Sequence, residues 1–407
     1  MTTDASNFRV GVAKAVSLIE QHMPHYRSER VELENAQGAI LRQRVTAERD
    51  QPPFDRVTMD GIAIKYSALD SGNRTFLVSG IQAAGAAAME LGDPSNCIEI
   101  MTGAVLPIGA DTVVPVERIR READRAIVEA EYVPAIGQFI HRRASDHPAG
   151  KPLLEPGIVI GAPEMAVLTI AGDATVEVAR WPNIAVISTG DELVDQGEPI
   201  EPFQIRSSND RAIQAALEKR GCRTSHRSRL PDDAERLAAE ISRLHEQHDV
   251  LILSGGVSMG KYDYVPQILD QLGVELVFHK ILQRPGLPMW FGISGTDKPV
   301  FALPGNPVSS LVCLVRYVAP AIRRSMGESN EKQTRVQISE SIEFAPDLTC
   351  FMPVELRFNN QGQMHAVPKP TNTSGDFVSL AGTDGIIELR RGQDEFPPGY
   401  AAPFFPW

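Results

Sequence analysis

The sequence predicts a multidomain protein of the α/β plus β class, in which a three-layer α/β domain is joined to two regions of short strands. Apolar strand-like segments alternate with amphipathic helix-like segments over residues 180–328, a pattern typical of a largely parallel sheet covered by helices. Short strand-like runs, broken by proline and glycine, fill residues 49–148 and recur over residues 329–407. The chain has 407 residues, which predicts two to four domains at about 150 residues each.

The two segments that flank the first strand-rich region, residues 1–48 and 149–179, are predicted to form a linking domain. Residues 8–24 have the apolar spacing of an amphipathic helix, and a second helix-like run lies near residues 163–171. Residues 49–148 are therefore predicted to be a β-rich insertion. Its strand-like runs are TFLVSG, CIEIMTG, DTVVPVE and AIVEAEYV.

The α/β domain, residues 180–328, has strands and helices that can be assigned in order. Its predicted strands are NIAVIST, DVLILS, ELVFHKI and PVFALPG, and the near-continuous apolar run of DVLILS is typical of a central parallel strand. Its predicted helices are SSNDRAIQAALEKRG, DDAERLAAEISRLHEQ and NPVSSLVCLVRYVAPAIRRS. Ser208 or Asn209 is expected to cap the first of these helices. Residues 329–407 predict a small C-terminal β domain.

Composition and charge exclude several classes of function. The chain carries 40 basic and 52 acidic residues, a net charge of -12, and nucleic-acid binding usually requires a basic surface. Its four cysteines form no CxxC pair, which is typical of a reducing compartment and indicates no zinc site. There is no signal-peptide pattern and no run of about 18 apolar residues, so we expect a cytoplasmic protein that does not enter a membrane.

Three predicted strands end in loops of an unusual kind. The loops are Ser188–Glu192, the SGGVSMG run of residues 254–260, and LPGNP of residues 303–307. If the sheet is parallel, all three loops lie at its carboxyl edge, where ligands of α/β proteins bind. Glycines allow close approach to the backbone, and hydroxyls and helix N-termini bind anions. The substrate-binding residues predicted from these loops are Thr189, Gly190, Ser254, Gly255, Gly256, Ser258, Gly260, Pro304, Gly305, Asn306 and Pro307.

Carboxylates accompany these loops and predict a divalent metal ion. Glu192 and Asp263 follow two of the loops, and Asp232 opens a helix before the central strand. Carboxylates repel a phosphate-bearing ligand unless a hard cation such as Mg²⁺ lies between them. Lys280 and Arg284, in HKILQRPGLP, are candidates for binding phosphate or another oxyanion. Each feature also has an ordinary explanation: the acids can cap helices and the two basic residues can be solvated.

The insertion contains two polar positions that turn chemistry does not explain. PPFDRVTMDGIAI contains Asp60, and IMTGAVLPIGADTVVP contains Thr102. The glycines and prolines around them are typical of turns. Turn chemistry explains less easily why a carboxylate and a hydroxyl lie beside those turns.

Taken together, these motifs resemble a known family. PPFDRVTMDGIAI, IMTGAVLPIGADTVVPVE, VISTGDELV, SGGVSMGKYDY, RPGLP and LPGNPVSSLVC occur in the order and spacing of the molybdopterin molybdenumtransferases, the group of MoeA and the gephyrin E domain. The resemblance covers nearly the whole chain. It implies that residues 180–328 form a molybdopterin-binding domain, and that the linking domain serves dimerisation.

The resemblance also implies a reaction and partners. Members of the family insert molybdate into adenylylated molybdopterin with Mg²⁺, and release AMP and molybdenum cofactor. They are elongated homodimers in which the insertion of one subunit faces the α/β domain of the other. Further partners implied are the upstream molybdopterin adenylyltransferase and the molybdoenzymes that receive the product.

The resemblance assigns roles to individual positions. Asp60, Thr102, Glu192, Asp232 and Asp263 match catalytic residues, and the last three match the metal-binding acids. Asp146 matches a further acid of the insertion. The remaining matches, at the substrate-binding edge, are Lys280, Arg284, Pro304, Pro307, Ser309 and Ser374.

Three positions depart from the family pattern. Arg284 stands where many members have lysine, which keeps the charge and changes the geometry. Leu287 stands where the pattern usually has lysine, and Cys350 lies near an arginine of some members. Loss of these two cations predicts altered affinity or selectivity for the oxyanion.

Two other functions compete with this interpretation. The first is adenylylation of molybdopterin by ATP, which requires only the α/β domain and so leaves the insertion and the C-terminal domain unexplained. The second is a non-catalytic scaffold or binding protein of the same fold.

Overall fold

The structure, a computed structural model, describes residues 9–256, 264–329 and 333–407. Within this part of the chain there are two compact units. The host unit comprises residues 9–43, 156–161 and 175–407, and the inserted unit comprises residues 44–155 and 162–174. The α/β segment and the C-terminal strands therefore belong to one unit, and the helix Ala162–Ala171 belongs with the insertion.

A six-stranded sheet forms the centre of the host unit. Its strands, in chain order, are β1 (Ile184–Thr189), β2 (Ser225–Leu230), β3 (Val250–Ser254), β4 (Val274–His279), β5 (Trp290–Ser294) and β6 (Pro299–Leu303). Their spatial order is β2-β1-β3-β6-β5-β4. The first four in that order are mutually parallel, and β5 is antiparallel to both of its neighbours. The sheet is thus mixed, and the sequence analysis missed β2 and β5.

Helices cover both faces of this sheet, as the sequence predicted. Every residue of β1, β3 and β6 is buried, which accounts for their continuous apolar runs. One face packs against helices Val12–His22, Asn209–Glu218, Pro307–Cys313 and Ala319–Ser325. The other face packs against helices Ala234–Gln247 and Val265–Gln271. The result is the predicted three-layer α/β domain.

The closing helix of the host unit is not continuous. A π-helical turn, Leu314–Val318, separates Pro307–Cys313 from Ala319–Ser325. All of the residues in Pro307–Val318 are buried except Pro307 and Arg316, which are half-buried.

The C-terminal strands of the host unit form a closed ring. Thr349–Phe358 pairs with Met364–Pro368 on one side and with Gly385–Leu389 on the other. The remaining strands are Arg335–Ile338 and Ala401–Pro406, and Gln283–Arg284 joins the outside of the ring beside Thr349 and Cys350. Small paired strands complete the unit: Ser28–Glu32 with Thr175–Ala179, Leu193–Val194 with Ile205–Arg206, and Ile342–Glu343 with Glu395–Phe396.

The inserted unit is rich in β-structure, and each of the four predicted runs overlaps a strand, although only TFLVSG lies wholly within one. Its six-stranded sheet has the order Thr112–Pro115, Gly61–Ile64, Asn96–Ile100, Thr75–Gln82, Arg125–Val128 and Ile119–Glu122. Two short pairings flank it, Arg56–Val57 with Ile140–His141 and Val45–Thr46 with Pro152–Leu154. Its helices are Tyr66–Asp70 and Ala162–Ala171. In neither unit is any described helix long and apolar enough to cross a lipid bilayer.

Candidate functional site

A cavity of about 610 Å³ lies in the host unit at the carboxyl ends of β1, β3 and β6. We call it the strand-end cavity. The structure brings all three predicted loops to its wall. The lining residues are Ser188, Thr189, Glu192, Leu193, Ile205–Asn209, Asp232, Ser254–Gly256, Pro288, Pro304–Pro307 and Gly375.

Two glycines allow the backbone of one loop to lie close to the neighbouring strand. Gly255 and Gly256 have φ values of +100° and +66°, which favour glycine. A Cβ atom on Gly255 would lie 2.8 Å from the carbonyl oxygen of Thr189. A side chain at Gly255 would therefore push the loop away from β1, and a Cβ atom on Gly256 would lie 2.7 Å from Val265 Cγ2, so either change would alter the cavity wall.

Asn209 ties the strand ends together. Its side-chain amide donates to the hydroxyl of Ser254 at 2.8 Å and to the carbonyl oxygen of Gly305 at 2.7 Å. Ser208 occupies the N-cap position of this helix, as predicted, but its side chain makes no capping hydrogen bond, and Asn209 bonds the loops instead.

Three polar atoms on the cavity wall are buried and lack a hydrogen-bond partner among the described residues. They are Ser188 Oγ, Thr189 Oγ1 and Asn209 Oδ1. A buried polar atom without a partner costs about 1–3 kcal/mol, so native structures pair such atoms with protein, water or ligand. All three belong to residues that line the cavity, which is consistent with the binding of a polar ligand there.

Two carboxylates line the same cavity. Glu192 and Asp232 reach it from different loops, and the backbone N–H of Asp232 donates to Asp191 Oδ1 at 3.1 Å. Asp233, in contrast, caps its helix by accepting from the N–H of Arg236 at 2.9 Å. The ordinary capping explanation therefore applies to Asp233.

These carboxylates fit a magnesium ion. Mg²⁺ binds through one or two carboxylates, with the remaining positions filled by water and phosphate oxygens. The described residues contain no cluster of three or more metal-ligating side chains. Asp263, the third predicted ligand, lies outside the described residues, as do Ser258 and Gly260.

The segment before the first α/β helix contributes residues that sequence reasoning missed. Arg206, Ser207 and Ser208 line the strand-end cavity, and Arg206 is its one cation among the described lining residues. The available signal was the run RSSN directly ahead of a helix, which combines a cation, hydroxyls and a helix N-terminus.

A second cavity of about 700 Å³, which we call the loop cavity, adjoins the first. Pro288, Pro304 and Asn306 line both cavities. The other residues that line the loop cavity are 283–287, Ser309, 343–346, Leu348, 350–353 and 370–374. Asn306 Nδ2 donates to Ser374 Oγ at 2.7 Å and so joins the α/β segment to the C-terminal segment at the shared wall.

Arg284 is the only cation among the described residues that line the loop cavity. Leu287 and Cys350, the two departures from the family pattern, line the same cavity. Burial raises the pKa of the Cys350 thiol to about 12, although the nearby Arg284 opposes that shift. Cys350 is therefore a neutral, buried thiol, and the charge available to an oxyanion is concentrated on Arg284.

Two predicted residues lie elsewhere in the host unit. Gly190 lines a neighbouring cavity of about 530 Å³ with Asp191 and Arg229. Lys280 follows β4, which runs in the same direction as β6 but lies two strands away from it. Lys280 is not among the described residues that line the strand-end cavity or the loop cavity.

In the inserted unit, Asp60 and Thr102 are in direct contact. The backbone N–H and the hydroxyl of Thr102 both donate to Asp60 Oδ1, at 2.6 and 2.7 Å. These hydrogen bonds, that of the hydroxyl first, lower the pKa of Asp60 below its ordinary value. Both residues are exposed, so they present an ionised carboxylate and a fixed hydroxyl on the surface of this unit.

Comparison with known proteins shows which family has this architecture. Residues 10–172 match the family model "MoeA N-terminal region (domain I and II)", residues 185–324 match "Probable molybdopterin binding domain", and residues 335–407 match "MoeA C-terminal region (domain IV)". The molybdopterin molybdenumtransferase of Synechocystis sp. is 38% identical over 98% of this chain and 100% of its own length. The chain belongs to the MoeA family.

Further relatives agree with this membership. The molybdopterin molybdenumtransferase of a Staphylococcus epidermidis strain is 28% identical over 96% of this chain and 94% of its own. A crystal structure of a MoeA protein from Pyrococcus horikosii is 29% identical and superposes with a TM-score of 0.81 over 98% of both chains. The predicted α/β plus β class is thus confirmed as the fold of the MoeA family.

Proposed function

We propose that this protein inserts molybdate into adenylylated molybdopterin with Mg²⁺, releasing AMP and forming molybdenum cofactor. The observation that carries the proposal is the pair of adjoining cavities. One has unpaired buried hydroxyls and two carboxylates, and the other has a single described cation. The curated relatives are named molybdopterin molybdenumtransferase. That name implies one site for molybdopterin and one for molybdenum, which is consistent with two cavities.

The strand-end cavity would hold the phosphoanhydride of the substrate. Glu192 and Asp232 would hold Mg²⁺, which neutralises pyrophosphate charge when it is bound. Arg206 lines the same cavity; its Nη1 donates to the carbonyl oxygen of Asp195, and its other guanidinium N–H groups would pair with phosphate oxygens. Thr189 and Ser188 offer hydroxyls to the substrate, since their oxygens have no partner in the described part of the chain. Addition of water across the P–O–P bond would release AMP as the departing group and leave the terminal phosphate on molybdopterin.

The loop cavity would hold molybdate. Molybdate is a tetrahedral dianion, and the planar guanidinium of Arg284 donates two parallel hydrogen bonds to such a group. Because Leu287 and Cys350 add no charge, binding of molybdate would depend on Arg284 more strongly than in a pocket with several cations. Pro288, Pro304 and Asn306 would then separate molybdate from the anhydride by one wall.

The functional assembly would be a homodimer in the cytoplasm. Asp60 and Thr102 of one protomer would complete the site of the other, as the family resemblance implies. All four cysteines are free and buried, which is compatible with a reducing compartment. The upstream molybdopterin adenylyltransferase and recipient molybdoenzymes would be transient partners.

The test is AMP release by the purified protein from adenylylated molybdopterin with Mg²⁺, measured with and without molybdate. Release that depends on molybdate is the expected result. ATP consumption with molybdopterin would instead establish adenylylation. If the protein dimerises but neither binds nor turns over the substrate, that result would establish a scaffold role.

A further inference from the structure

A buried polar pair lies directly behind Arg284. Gln283 is completely buried and Tyr317 is 2% exposed, both among apolar neighbours. The hydroxyl of Tyr317 donates to Gln283 Oε1. Burial also raises the pKa of the Tyr317 hydroxyl well above its ordinary value, so it remains a protonated donor. Neither side chain is part of the catalytic scheme above.

The amide of Gln283 fixes the turn that follows Arg284. Its Nε2 donates to the carbonyl oxygen of Pro285 at 3.1 Å and approaches Cys313 Sγ at 3.6 Å. Cys313 Sγ in turn donates to the carbonyl oxygen of Gly286 at 3.7 Å. Two consecutive carbonyl groups of the turn are thus held from inside the protein.

Gly286 shows how closely this turn is packed. Its φ is +94°, and a Cβ atom there would lie 2.5 Å from Gln283 Nε2 and 2.7 Å from Cys313 Sγ. The turn therefore rests directly on the two side chains that hold it, and only glycine allows that contact.

The π-helical turn Leu314–Val318 carries Tyr317 to this position. Single π-helical turns within α-helices are rare and often occur at functional sites. Here Cys313 ends the preceding α-helical segment and Tyr317 lies within the π-turn, and both side chains reach the segment 283–286.

We propose that Gln283 and Tyr317 are positioning residues that hold Arg284 on the wall of the loop cavity in the orientation that binds the oxyanion substrate. Arg284 is exposed, and the chain on both sides of it is fixed from within, by Gln283 before it and Pro285 after it. Fixing the backbone of a binding arginine lowers the entropy that it loses on binding. This inference rests on the proposed function of the loop cavity.

The first test is Tyr317→Phe, which removes the hydroxyl and leaves Gln283 Oε1 unpaired. We expect the KM for molybdate to rise about fivefold to tenfold, with kcat and the KM for adenylylated molybdopterin within about twofold of wild type. Tyr26→Phe is the matched control, because the Tyr26 hydroxyl is buried in the same unit without a hydrogen-bond partner in the described residues. Equal effects of the two variants on the KM for molybdate would overturn the proposal.

The second test asks whether the effect passes through Arg284. In an Arg284→Ala background, Tyr317→Phe should cause no further loss of molybdate affinity, because the residue being positioned is gone. In the wild-type background, Gln283→Met should raise the KM for molybdate as Tyr317→Phe does. In the Arg284→Ala background, Gln283→Met should cause no further rise. Independent, multiplicative losses would show a merely structural role.

Equilibrium dialysis of radiolabelled molybdate against the same variants separates this inference from the proposed function. If the wild type binds molybdate but releases no AMP, the proposed reaction is wrong, and the binding constants of Tyr317→Phe and Tyr26→Phe still decide the positioning role. If the wild type binds no molybdate, both proposals fail.

Discussion

The side-chain amide of Asn209 donates to the hydroxyl of Ser254, so the first α/β helix is bonded directly to the end of the central strand. The same nitrogen donates to the carbonyl oxygen of Gly305, at the end of the neighbouring strand. One side chain thus sets the spacing of two of the three loops that form the strand-end cavity.

Asn209→Ala should therefore destabilise the protein and weaken substrate binding together. The change leaves the Gly305 carbonyl and the Ser254 hydroxyl without this donor, and we expect a loss of about 1–3 kcal/mol in the free energy of unfolding. We also expect the KM for adenylylated molybdopterin to rise about tenfold, because the loops lose their common anchor. Urea unfolding and initial-rate kinetics measure the two effects.

Gln214→Ala is the control for that experiment. Gln214 lies on the same helix, and its side-chain amide donates to Ser225 at the start of β2. That end of the sheet is opposite to the end that carries the strand-end cavity. Gln214→Ala should change the KM little. A normal KM in Asn209→Ala would show that the loops keep their positions without this side chain.

Asp232→Asn should raise the concentration of Mg²⁺ needed for half-maximal AMP release by about tenfold, because the neutral amide is a weaker ligand for a hard cation. Asp233→Asn is an adjacent control. It keeps an oxygen that can cap the helix, and Asp233 is not among the lining residues of the strand-end cavity. The assignment is wrong if the two variants have the same Mg²⁺ dependence.

Arg284→Ala should raise the KM for molybdate by at least about tenfold, since it removes the charged donor of the loop cavity. Leu287→Lys should have the opposite effect and lower that KM several-fold, because it places a second cation on the same wall. Leu287→Met controls for the change of shape. Steady-state titrations with molybdate at saturating adenylylated molybdopterin measure all three variants.

Mixing Asp60→Asn and Asp232→Asn should restore activity if the inserted unit acts in trans, when the assay is run at a Mg²⁺ concentration too low to support Asp232→Asn alone. In a heterodimer of Asp60→Asn and Asp232→Asn protomers, one of the two sites would contain both native carboxylates. Random reassociation should then give about a quarter of wild-type activity, since half of the dimers carry one intact site. An arrangement in which both residues serve the same protomer's site gives no recovery.

Thr102→Val should raise the pKa of Asp60 toward its ordinary value by removing the hydroxyl donor, while the backbone donor remains. A carboxyl with a lowered pKa contributes stability above its unfolded pKa, and that contribution is lost as the pH falls through the folded pKa. The stability difference between wild type and Thr102→Val should therefore be present at pH 7 and shrink below about pH 4. NMR titration of the carboxyl and urea unfolding measure this, with the exposed Thr75→Val as control.

Much of the fold follows from hydrophobic pattern. The buried strands β1, β3 and β6 were predicted because continuous apolar runs are typical of strands covered on both faces. In contrast, β2 reads SHRSRL and is an edge strand with polar side chains at every position but Leu230, so it has no such signal. The strand β5 follows RPGLP closely, and its antiparallel pairing depends on tertiary contacts that local sequence does not encode.

The candidate site was predictable where a residue type has few uses. Glycines at strand ends and isolated carboxylates stood out, and most of them line the strand-end cavity. Asn209 and Arg206 did not, because asparagine before a helix is usually a cap and arginine is usually a solvated surface residue. The Gln283–Tyr317 pair was invisible for a different reason: 33 residues and a helix boundary separate two side chains that only the packed core brings together.

The nesting of the two units has a consequence for synthesis of the chain. Helix Val12–His22 packs in the same core as Ala319–Ser325, and Glu20 pairs with Arg324, 304 positions later. At about 5–20 residues per second, the nascent helix waits roughly 15 to 60 s for that part of its core to leave the ribosome. The inserted unit, complete by residue 174, has no such delay. The apolar face of the first helix thus lacks that part of its core throughout this interval, when chaperones can cover it.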